Sequence, residues 1–148
     1  MLDKATICKA IRSELNEKGK RIQLAFDDLN SAITDDSKST AGDKHETGRA
    51  MVHLEQEKLS KQLIQNKYLQ QALQKIDPDQ KSNKVQFGSI VSTDRGVYFF
   101  SIGLGKITVD GYDIFCLTPI TPLGQMLFDC KKGDSIEFNG VLEILEVQ

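Results

Sequence analysis

The chain has 148 residues, a formal net charge of −2 and 39% apolar residues. That length suits one ordinary domain or two small ones, and the near-neutral charge argues against general binding to a nucleic-acid backbone such as duplex DNA. Met1 to Thr6 has no long apolar core, which speaks against a signal peptide. No run reaches the roughly 20 apolar residues that cross a bilayer, so the reading is a soluble, cytoplasmic protein with no membrane partner.

Positive charge is uneven all the same. Lys4, Lys9, Arg12, Lys18, Lys20 and Arg21 crowd the first segment, as a local basic face or as an ordinary solvated one. Cys8, Cys116 and Cys130 are dispersed and odd in number, without a CxxC pair. They read as reduced thiols, small apolar fillers outside any zinc site.

Residues 3 to 34 carry Cys8, Ile11, Leu15, Ile22, Ala25, Leu29 and Ala32, with Lys18 at the missing step. Steps of three and four are the a/d rhythm of a coiled coil. Lys18 and Gly19 interrupt that seam and mark a bend. A second helical segment runs from 43 to 76. Leu59, Leu63, Leu69, Leu73 and Ile76 form its stripe, with Met51 and Leu54 extending it. Asn66 is a polar intrusion of the kind that fixes register. Two such helices joined by a turn near 35–42 make an antiparallel hairpin, each arm about 48 Å long at about 1.5 Å per residue.

The turn is crowded with carboxylates: Asp35, Asp36, Asp43 and Glu46. Thr40 or Asp43 can cap the second helix, and acidic groups suit its first turn. Mutual repulsion still makes such a cluster unfavourable for stability alone, which points to a working end. Asp43 and Glu46, three apart, share one helix face. Paired hard oxygens suit Mg²⁺, which keeps several positions for water and phosphate. Two carboxylates do not close a metal site, so a partner must complete it. His45 between them is a further base or ligand candidate, or an exposed tip histidine without a role.

Asp77-Pro78-Asp79 ends the second helix, since proline disfavours helix in the residue before it. The expected domains are therefore 1–77 and 84–148, joined by a linker at 78–83. Strand patterns follow over 85–92, 97–102, 107–109, 112–117, 135–138 and 142–147. Turn signals stand at Asp94-Arg95-Gly96, Asp110-Gly111 and Asn139-Gly140. Leu123, Met126 and Leu127 place one short helix within 119–128. The fold class is α+β. Gly103-Leu104-Gly105-Lys106 lacks Walker spacing and reads as a β-turn. No Ser/His/Asp or Cys/His set stands out, so the chain holds no complete active site and is not an enzyme by itself.

At these residues the chain resembles the Gre-type bacterial transcription elongation factors, the transcript cleavage family, over nearly its whole length. The tip motif, Gly-Asp-two residues-Glu, stands here as Gly42-Asp43-Lys44-His45-Glu46. Ile76-Asp77-Pro78, the segment 84–91, Thr118-Pro119-Ile120, Leu127 and Lys132-Gly133-Asp134 are similar to family segments at similar spacing. The resemblance implies a coiled-coil hairpin followed by an FKBP-like domain without prolyl isomerase activity. It implies that the hairpin enters the secondary channel of RNA polymerase, meeting the RNA 3′ end only inside the polymerase. There Asp43 and Glu46 would share a Mg²⁺ with the polymerase and support its cleavage of backtracked RNA. Ala50 stands where the family's tip commonly has an aromatic residue, and Arg49 precedes it. That departure suits a second expectation, a non-catalytic regulator in the same channel. A third is an FKBP-like module that binds a peptide. The expected state is a monomer.

Overall fold

The structure, a computed structural model, describes residues 3–37 and 44–148, with side chains for 3–33 and 48–148. It is α+β: a long helical region precedes a six-stranded sheet and a short helix. Helix α1 spans Lys4–Ser37 and α2 spans Lys44–Gln74. The chain divides into two compact units. One holds the chain up to Ile11 together with Gln71–Gln148, and the other is Arg12–Gln70.

Each helix has a local reason for its outer end. Asp3 accepts a hydrogen bond from the Thr6 backbone N–H at 2.7 Å, which makes it the N-cap of α1. The Ile76 N–H reaches only back to Leu73 O, and Pro78 follows. Asp77 then turns the chain by accepting from the Asp79 N–H at 2.9 Å.

Within the unit 12–70 the two helices run side by side in opposite directions. Asn66 Nδ2 donates to Leu15 O at 3.0 Å, and Gln56 Nε2 donates to Asn30 Oδ1. The seam differs from the sequence reading in phase. Lys18, Ala25 and Ala32 are exposed, whereas Gly19, Phe26 and Ile33 are half-buried, beside buried Leu15 and Ile22. The physical reason is side-chain content: this stripe buries a phenylalanine and an isoleucine in place of two alanines and a lysine. On α2, Met51 and Leu54 are exposed, and Val52 and Gln56 turn inward. Leu59 and Asn66 are buried, and Leu63 and Leu69 half-buried.

In the other unit the strands are β1 (Ile90–Thr93), β2 (Gly96–Phe100), β3 (Gly105–Val109), β4 (Tyr112–Leu117), β5 (Ser135–Glu137) and β6 (Val141–Val147). Their order across the sheet is β3-β4-β2-β1-β6-β5. Only β2 and β4 pair in parallel; the other neighbours are antiparallel. Asp110 and Gly111, with φ of 49° and 82°, form the two-residue loop between β3 and β4, as a type I′ turn requires. The first strand is shorter than the expected 85–92. Gly88 lies at φ 93°, and Val85 exchanges backbone bonds with Asp129 and Cys130 rather than with a strand.

Helix α3 (Pro122–Leu127) lies on one face of this sheet. Thr121 caps it by accepting from the Gly124 N–H at 3.1 Å, with Pro122 as its first residue. Gly124 is required by space: a Cβ there would sit 2.1 Å from Thr118 O. Leu127 of α3 is fully buried with Val91, Phe100, Leu117, Leu142 and Ile144. Register puts Ile90, Phe99, Ile107, Ile114 and Cys116 on the opposite face, all buried as well. Ile7, Ile11, Leu73 and Ile76 at the helix ends are buried members of the same unit.

Candidate functional site

The segment singled out by the sequence runs from the last turn of α1 into the first turn of α2. Backbone is helical at Asp35 and Asp36, and at His45 and Glu46, but their side chains lie outside the described residues. Asp43 lies outside them altogether. The approach to the segment is described on the α2 side, where Gly48, Arg49 and Ala50 are exposed. A Cβ on Gly48 would meet nothing within 4 Å. His53 is exposed, with Nδ1 3.3 Å from Gln56 Oε1 one turn on.

Elsewhere the structure assigns ordinary partners to the other candidates. Among the described residues no group of three or more His, Cys, Asp or Glu side chains is placed to hold a metal ion. Gly103–Gly105 leads into β3, with Gly105 at φ 70°. Lys106 sits 3.4 Å from Asp113 Oδ2 across the β3–β4 pair. Asp113 also accepts from the Thr108 hydroxyl at 2.8 Å, and that bond, with the Lys106 ammonium second, holds its carboxyl below the usual range. The loop therefore spends its lysine on the neighbouring strand.

None of the three cysteines is in a disulfide. Cys8 and Cys116 are buried. The half-buried Cys130 thiol donates to Met126 O at 3.3 Å, and burial pushes its pKa up, so it stays protonated. These are packing thiols.

The basic face of α1 needs one correction. Lys9, Arg12, Lys18, Lys20 and Arg21 are exposed, but Lys4 is buried, and its ammonium donates to Gln80 O at 2.8 Å. Burial lowers its pKa, with the nearby Cys8 and Asp77 charges acting the other way. Lys4 borders a water-sized cavity lined also by Asp77, Gln80, Gly88 and Ser89. No nucleophile and base face each other there, so its work is to tie the start of α1 to the segment after Pro78.

Arg95, read from the sequence only as part of a turn, is a clamp. Its guanidinium donates to Phe138 O, to Asn139 O at 3.0 Å and to Val141 O at 3.1 Å, gripping the β5–β6 turn. Asp94 beside it accepts from the Glu143 N–H at 3.0 Å. An arginine in a two-residue hairpin turn was the available clue, but its partners lie more than forty residues away.

Among the described residues no helix is long and apolar enough to cross a membrane. No protein-family model matches the chain, and neither the curated proteins nor the solved structures give a match.

Proposed function

We propose that this chain is a transcription elongation factor of the Gre type. In this reading the paired helices are a coiled coil that enters the secondary channel of RNA polymerase, and the sheet unit is an FKBP-like domain that docks outside. The observation that carries the reading is Gly42-Asp43-Lys44-His45-Glu46 at the junction of two long antiparallel helices. Two carboxylates spaced by three, at the end of a helix pair, can be delivered into another protein's site. There Asp43 and Glu46 would add protein oxygens to a Mg²⁺ whose remaining ligands belong to the polymerase. The polymerase then cuts its own backtracked RNA, and the chain is no enzyme alone.

The test is RNA cleavage in stalled, backtracked elongation complexes with the protein added. Asp43→Ala or Glu46→Ala is expected to abolish the stimulated cleavage while polymerase binding stays within a few-fold of wild type. Either substitution should cost the fold about 1 kcal/mol at most, the value of a helix cap. Stimulation that survives both substitutions rejects the metal role.

Ala50 favours a second reading. A small exposed side chain follows the acidic motif where the family it resembles commonly carries an aromatic ring. A channel-binding regulator that does not promote cleavage would compete with a cleavage factor for the polymerase and leave backtracked RNA intact. The same assay, run with a competing cleavage factor, separates the two.

A further inference from the structure

Four features of the unit 12–70 coincide at one level. The first is position in the seam. The inward residues of α2 are Val52, Gln56, Leu59, Leu63, Asn66 and Gln70, and those of α1 are Leu15, Gly19, Ile22, Phe26, Leu29 and Ile33. Both keep a rhythm of four and three, so Gly19 and Asn66 are both seam positions.

The second feature is that Gly19, although a seam position, has no side chain to pack. A Cβ on Gly19 would lie 3.2 Å from Asn66 Oδ1. The third is Asn66 itself, only 5% exposed. Its Nδ2 donates to Leu15 O at 3.0 Å and its Oδ1 accepts from Gln70 Nε2 at 2.6 Å. Leu15 O is also the acceptor that the α-helical ladder assigns to the Gly19 N–H. The fourth is a groove at the same level, lined by Leu15, Lys18, Lys61, Gln62, Asn66 and Leu69.

This level therefore joins the helices by one amide hydrogen bond, from Asn66 to Leu15 O, with a glycine and an asparagine where the seam would otherwise bury apolar side chains. Beyond it the seam thins step by step: Ile22 and Leu59 are still buried, but Phe26, Leu29, Ile33, Val52 and Leu63 are only half-buried, whereas Leu15 in the layer is fully buried. Regions with few buried apolar contacts open first. We propose that the Gly19–Asn66 layer is a hinge built into the helix pair. Residues 20–33 and 48–65 open and close together as one cooperative segment, and the opening stops at this layer.

Hydrogen exchange followed by peptide mass spectrometry on the full chain tests this. The expected pattern is a step: residues 20–33 and 48–65 exchange at least tenfold faster than residues 12–18 and 67–70. Replacing the layer with an apolar one, Gly19→Ala together with Asn66→Leu, should slow exchange in 20–33 at least tenfold and erase the step. Asn66→Ala, which cannot overpack the layer, should instead quicken exchange in 20–33 and leave 12–18 the slower segment. Exchange that declines evenly along both helices, a step at another level, or a step unchanged by both substitutions overturns the proposal.

Discussion

The sheet unit and the helix pair are stabilised in different ways. In the sheet unit, both faces carry fully buried side chains, such as Phe99 on one and Phe100 with Leu127 on the other. Among the described residues of the unit 12–70, Leu15, Ile22, Leu59 and Asn66 are buried, and the rest of the seam is half-exposed. Two helices in contact can shield only one stripe each, so water reaches the flanks of every layer. Yet the residues proposed to work, Asp43 and Glu46, belong to the helical half. Stability and chemistry are thus sought in separate parts of the chain.

The sharpest way to break that comparison is to make one substitution in both units. Phe100→Ala removes a fully buried ring that lies 6.4 Å, centre to centre, from Phe128. It should cost about 3–5 kcal/mol in chemical denaturation. Phe26→Ala removes a half-buried ring from the seam and should cost about half as much. Equal losses would mean that the helix seam is as well packed as the sheet core.

Glycine gives the next contrast. At Gly124 a methyl group would collide with the Thr118 carbonyl at 2.1 Å, so Gly124→Ala should destabilise by about 1–3 kcal/mol. At Gly48 the methyl would meet nothing within 4 Å, inside a helix. Gly48→Ala should therefore stabilise by about 0.5–1 kcal/mol, through helix propensity alone. Thermal melts of the two variants should move in opposite directions.

These contrasts also show what the sequence could and could not convey. The switch from helical to alternating patterning after Pro78, the α+β class, the turn at Asp110-Gly111 and the polar intrusion at Asn66 were all legible, because each rests on local chemistry. The inner face of α1 was not. Ile22 and Leu29 fit two stripes equally, one through Lys18, Ala25 and Ala32, the other through Gly19, Phe26 and Ile33. A strict heptad rule selected the first; the larger side chains decide for the second. Met51 and Leu54 misled for the same reason, since a thin two-helix seam leaves large apolar residues outside. The Arg95 clamp and the burial of Lys4 depend on contacts distant in sequence, which no local pattern encodes. Asp43 and Glu46 rest on their residue type, their spacing and the resemblance of the Gly42–Glu46 motif.

The choice of stripe has its own test, with a smaller effect. Ala25→Gln and Ala32→Gln should each change stability by less than about 0.5 kcal/mol, as exposed helix positions do. A loss well above about 1 kcal/mol at either position would restore the heptad seam and refute the observed one.

The smallest expected effect concerns Lys4 and is read from its dependence on pH. Burial lowers the Lys4 pKa in the folded state, while in the unfolded chain it returns to the ordinary lysine value. Between those two values the unfolded chain binds a proton that the folded chain has released. Stability then rises with pH across that window, because it rises wherever the unfolded state binds more protons. Other groups titrate in the same range, so the informative quantity is the difference between wild type and Lys4→Met, which keeps a long side chain in the buried site. That difference should shift in favour of wild type as pH climbs towards the ordinary lysine range. A neutral amine can still donate to Gln80 O, so the tie to the segment after Pro78 survives deprotonation. A difference that is flat, or that shifts towards Lys4→Met as pH rises, would mean that the ammonium is stabilised where it sits, by Asp77 and Gln80, more than burial penalises it.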